Sequence, residues 1–146
     1  MAIIYNQRGA TRNQSTVDYT QEVLFFGGVK SRDAVFLNNT GADLDVEQGI
    51  LVLRDVTTPG QIIPAIAGAT LANVIGVLRV EGVTSLADAA SMEVNYATSG
   101  EFDSGLIVFP ATVNFDTTVG AKHVLDVITG LGFNPKDYTD SSIFDN

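Results

Sequence analysis

The chain has 146 residues, no cysteine, no tryptophan and a single histidine, His123. That length fits one domain with a real core, and the missing thiols exclude disulfides and thiolate metal sites. A formal charge of −9 argues against binding nucleic acid, which needs clustered Lys and Arg, while 45% hydrophobic residues points to an oligomer or larger assembly.

Residues 1–20 read as an extended arm. Ile3, Ile4 and Tyr5 form a short apolar patch, and the polar stretch NQRGATRNQST follows with no periodicity. Such an arm can add to a partner as a strand, its backbone bonding and Ile3, Ile4 and Tyr5 filling pockets. The start lacks the basic residues and long apolar run of a signal peptide, so the expectation is folding in the cytosol that makes it. No stretch has the length of a membrane span.

Val23–Phe26 is an apolar run that ends at Gly27-Gly28, a turn signal. Ala34–Leu37 is a second run. Ala42, Leu44 and Val46 then alternate with Asp43, Asp45 and Glu47, a period of two that puts carboxylates on one strand face. Ile50–Leu53 reads as a buried strand after Gly49. Residues 57–69, with Pro59-Gly60 and Pro64, read as a loop, and residues 74–84 as strand again. Leu86–Met92 suggests one helical turn. Residues 93–110 read as a hairpin turning at Ser99-Gly100 and stopping at Pro110.

One helix is expected near residues 118–131, capped by Thr117 or Thr118, with Val124, Leu125, Ile128 and Leu131 at helical spacing. Gly130, Gly132 and Pro135 end it. The tail carries Tyr138, Ile143 and Phe144 as possible anchors. The fold expected is therefore mainly β with a small α part (α+β). It comprises the arm (1–20), a compact β-barrel-like domain of short strands with one C-terminal-region helix (21–133), and an acidic tail (134–146).

Residues 1–80 are net −1 and residues 81–146 net −8. A near-neutral half for docking and an acidic half toward solvent would suit a protein bound to a surface; solubility alone gives the same pattern.

Candidate chemistry is sparse. The sequence has no glycine-rich phosphate loop, HExxH or GxSxG. Asp43, Asp45 and Glu47 are the best candidate for a hard cation, but a calcium loop's glycine bend and distal glutamate are missing, and strand alternation explains the spacing. Glu101 and Asp103 flank Phe102 as a hydrolase pair might. Lys122 and His123 could form a general-base site, or simply line a helix face. The expectation is no catalytic residue, no metal and no cofactor.

Four segments, in order, carry a family resemblance: Gly49–Asp55 (GILVLRD), Val74–Leu78 (VIGVL), Val94–Phe102 (VNYATSGEF) and Leu106–Pro110 (LIVFP), the last followed by the capped helix. Together they resemble the lambda-like bacteriophage head decoration proteins over a little over half the chain. Phe109 stands where the family often has Trp before the proline, residues 20–48 extend beyond the smallest members, and the tail after Phe133 has no counterpart. The resemblance implies a homotrimer on the outer surface of the virion head, at three-fold and quasi-three-fold sites. It implies an arm that pairs with the major capsid protein, with Ile3, Ile4, Tyr5, Arg8 and Arg12 as candidate contacts. No nucleic acid, membrane or small-molecule substrate is implied. Another virion structural protein, such as a tail-tube or head-completion component, remains the alternative. A binding module or enzyme would need a concave site with converging polar groups.

Overall fold

Short apolar runs, some continuous and some alternating with polar residues, favour strands. The computed structural model describes residues 24–66 and 68–137. Among these residues ten strands form: β1 (Phe25–Leu37), β2 (Leu44–Val46), β3 (Leu51–Arg54), β4 (Gln61–Pro64), β5 (Val74–Leu78), β6 (Thr84–Leu86), β7 (Ser91–Asp103), β8 (Thr118–Val119), β9 (Lys122–His123) and β10 (Phe133–Lys136). Among the described residues, one α-helix, Val124–Gly130, precedes β10.

The main sheet runs β1-β4-β3-β5-β7, and β1 also pairs with β7, so five strands close into a barrel. The seam is long: ten pairs run from Phe25↔Phe102 to Leu37↔Ser91. β5 takes the other edge of β7 at Ala97 and Tyr96, and β10 takes it from Gly100 to Asp103. β2 and β6 form a separate two-stranded ribbon.

Each barrel strand sends alternate side chains to two apolar clusters. Phe36, Ile62, Val52, Leu78, Val94 and Tyr96, drawn from all five strands, fill the barrel, with Val46 and Leu86 of the ribbon against them. The opposite side of β3, β5 and β7 presents Leu51, Leu53, Val77, Ala97 and Phe102, which the helix covers with Val124 and Ile128. Each fully buried aliphatic or aromatic side chain contributes roughly 1.5–3 kcal/mol. Gly76 faces the filled barrel, where a Cβ would collide with the Ala97 carbonyl and the Tyr96 ring.

One buried polar residue ties two corners together. Asn38 is fully buried. Its Nδ2 donates to the carbonyls of Ala42 (2.8 Å) and Leu86 (2.9 Å), and its Oδ1 accepts from the Thr40 amide and hydroxyl. Its backbone bonds Ala90 and Ala89, so the exit of β1 is fastened to the entry of β7.

The structure differs from the sequence expectations in several places. Gly27-Gly28 is no turn: β1 continues through it, with register irregularities between Phe25 and Ser31. Ser99-Gly100 does not divide a hairpin either. β7 runs unbroken past Gly100 (φ 144), whose Cα lies so close to Val29 that a Cβ would sit 3.1 Å from it. Its strand ends at Asp103, and residues 104–106 form a short 3-10 turn. Residues 61–64, expected as loop, are a barrel strand. Pro64 occupies its last pair, opposite Val52, where a missing N–H is tolerated. Leu86–Met92 is no helical turn but a tight link between β6 and β7, with Ala89 at φ 65.

The helix begins six residues later than expected, because Thr118–Val119 and Lys122–His123 pair across Gly120 (φ 63) as a small hairpin. Neither Thr117 nor Thr118 caps it. The amides of Val124 and Leu125 donate instead to the carbonyls of Thr117 and Phe115. Asn134–Lys136, placed in the tail by the sequence, belong to the sheet as β10.

Candidate functional site

At one end of the barrel, Gly49 (φ 95) allows the chain after β7 to pass unusually close, since a Cβ there would collide with the Leu106 carbonyl. The Gly49 carbonyl accepts from the Val108 amide at 2.9 Å, and Ile50 forms a parallel bridge with Val108. Val108, Phe109 and Pro110 are thereby set beside Ile50. Pro64 ends β4, and the Ala65 amide bonds the Leu51 carbonyl at 2.9 Å, which carries Ile66 to the same side. Leu44, Asp45 and Glu47 of the ribbon complete the enclosure.

The result is an open groove of about 300 Å³. Its walls are apolar except for Asp45 and Glu47. Ile66 is 49% exposed and Val108 38%, so large apolar surface faces solvent there. Neither carboxylate has a hydrogen-bond or ion-pair partner among the described residues. This arrangement offers apolar contact plus an acidic rim; it suits a chain segment with aliphatic or aromatic side chains and a nearby cation. Two further hollows, of about 430 and 460 Å³, share Val80, Glu81 and Asn95 and have a larger polar lining.

The residues singled out for chemistry are placed as follows. Glu101 pairs with Lys136 at 3.1 Å and accepts from the side-chain Nδ2 of Asn134 at 3.3 Å, which pins β10 to β7. Asp103 accepts from the Gly105 amide at 2.9 Å and caps the 3-10 turn. Each carboxylate thus has its own structural partner. Lys122 and His123 lie exposed in the small hairpin, ahead of the helix and not inside it, and His123 Nδ1 contacts the Asp116 carbonyl at 2.7 Å. Asp45 of β2 and Asp43 just before it are exposed and Val46 is buried, but Ala42 is also exposed and Glu47 half-buried, so the expected alternation holds only over Leu44–Val46. Among the described residues, no three His, Asp or Glu side chains gather closely enough to hold a metal ion. Nor is any described helix long and apolar enough to cross a membrane.

The arm residues Ile3, Ile4, Tyr5, Arg8 and Arg12 lie outside the described residues, as do Tyr138, Ile143 and Phe144. The groove escaped the sequence reading, for it draws on three separated segments. Ile66 was its only signal: a large apolar residue beyond any strand.

No family model matches the chain, and no curated protein shows significant similarity to it.

Proposed function

We propose that this chain is a capsid decoration protein, a homotrimeric cement on the outer surface of an icosahedral virus head. It binds the major capsid protein at three-fold and quasi-three-fold sites of the expanded lattice and stabilises it against the pressure of packed DNA. On this reading it catalyses nothing, takes no cofactor, and contacts neither nucleic acid nor membrane.

The observation that carries the reading is a barrel whose interior is filled by its own side chains, with exposed apolar side chains left on its outside, Ile66 and Val108 of the groove among them. A filled barrel leaves its outer surface as the place for function, and a cap on a lattice works through its outer surface. The charge distribution adds support, with residues 81–146 at net −8. The ordered sequence resemblance of residues 49–133 supplies the specific family.

The physics of such a cap is linkage. A protein that binds only the expanded shell shifts the shell's equilibrium toward that state by mass action. Many copies, each bridging several capsid subunits, add their effects through multivalency.

The test is binding of the purified protein to expanded capsids that lack decoration, imaged by cryo-electron microscopy. Protruding density at the three-fold positions is expected. Rings or tubes with no binding to mature heads would overturn the cap and favour a tail or connector component. Removing residues 1–15 should leave the barrel folded and abolish shell binding; normal occupancy by the shortened chain would refute the arm's role.

A further inference from the structure

The groove beside Ile50 and Val108 needs an occupant with two properties. It must carry apolar side chains to cover Ile66 and Val108, and a cation to meet Asp45 and Glu47. One segment of the chain itself has both. Residues 1–17 hold Ile3, Ile4 and Tyr5, then Arg8 and Arg12, and no carboxylate at all, in a chain that is net −9. We propose that this groove is the docking site for the chain's own N-terminal segment, with the Ile3-Ile4-Tyr5 patch on the apolar wall and Arg8 toward Asp45 and Glu47.

The place where the described chain begins fits this occupant. The Leu24 carbonyl accepts from the Asp103 amide at 2.8 Å, five residues before Val108 on the strand that leads to the groove. Eighteen residues separate Tyr5 from Leu24. Extended, they span up to roughly 60 Å, whereas the five steps from Asp103 to Val108 cover at most about 18 Å. Reach is therefore ample, and a tether of this length gives an effective concentration on the order of millimolar, which favours the chain's own arm over a neighbour's. This inference does not rest on the capsid reading. If both hold, a partner that takes the arm must first draw it out of the groove.

Two measurements on the full-length protein test it. Trypsin cleaves after Arg8 and Arg12, so cleavage there reports the undocked arm. Ile66→Asp should speed cleavage after both arginines by roughly tenfold, the effect of losing about one aliphatic contact. Asp45→Asn with Glu47→Gln should speed it less, and added salt should narrow that difference. Cleavage after Lys30 and Arg54 serves as the control for an intact barrel. Because the chain has no cysteine, a disulfide can be placed cleanly as a second readout. Ile4→Cys with Ile66→Cys should cross-link within one chain far faster than Ile4→Cys with Val56→Cys, Val56 being 97% exposed. Equal cross-linking in the two pairs, or arm cleavage unaffected by the groove substitutions, would overturn the proposal. A cross-link formed only between chains would also overturn it, and would give the groove to a neighbouring copy.

Discussion

Phe102→Ala probes the point where the barrel, the loop after it and the final strand meet. Phe102 is fully buried in β7. Its ring centroid lies 5.6 Å from Phe133, 6.2 Å from Phe25 and 6.5 Å from Phe115. Truncation removes the ring from all three neighbours at once and leaves a cavity that β7, paired on both edges, cannot close. Such substitutions cost about 3–5 kcal/mol. That is a large share of the roughly 5–15 kcal/mol available to a domain, and at about 4 °C per kcal/mol it lowers Tm by roughly 12–20 °C. Urea unfolding followed by far-ultraviolet circular dichroism measures it, since the chain has no tryptophan to report by fluorescence. Protein concentration must be held fixed if subunits associate. A loss below about 1 kcal/mol with an unchanged denaturant slope would show that the ring is not the shared contact described above. Val56→Ala, at a fully exposed position, should change stability by less than about 0.5 kcal/mol.

Val77→Asp should unfold the domain or cost several kcal/mol, because Val77 is completely buried between Leu51 and Ala97 and a carboxylate there has no partner; an unchanged Tm refutes that placement. Asn38→Ala should cost about 2–3 kcal/mol and speed hydrogen exchange at the Ala89 and Ala90 amides, since the Leu86 carbonyl loses its buried donor. Gly76→Ala should cost at least about 2 kcal/mol through collision with the Ala97 carbonyl, whereas Gly27→Ala, with open space around it, should be near neutral; equal effects in urea unfolding would contradict the packing around β5.

Strand positions with clean local patterns were legible in the sequence. Ile50–Leu53, Val74–Leu78 and the Leu44–Val46 alternation fall where the residues indicate. Glycine misled the reading twice, at Gly27-Gly28 and at Gly100. A glycine signals freedom of the backbone, and a bent or irregular strand uses that freedom as readily as a turn does. What decides between them here is the β1–β7 pairing, which joins residues more than fifty positions apart and leaves no local trace. Pro64 misled in the opposite sense, because a barrel strand can end on proline when the next amide makes the bond. The helix was read from Val124, Leu125, Ile128 and Leu131, of which Val124 and Ile128 are buried while Leu125 is exposed and Leu131 only caps the end, and its start depended on the small hairpin at Gly120. The groove is the extreme case: its walls come from residues 44–50, 64–66 and 108–110, so no window of sequence contains it.

The long β1–β7 seam also bears on how the molecule is made. β1 emerges before β7 in synthesis, yet its principal partner begins only at Ser91, and the neighbour of β7 that pins it, β10, ends at Lys136. Pairings this distant place the fold among slow, non-local topologies that fold in roughly milliseconds to seconds. Until Asp103 has cleared the ribosome the barrel cannot close, and Phe36 and the early strands stay without their full cover. The chain therefore commits to its native state late and nearly all at once, and a truncated product should be left to degradation or aggregation.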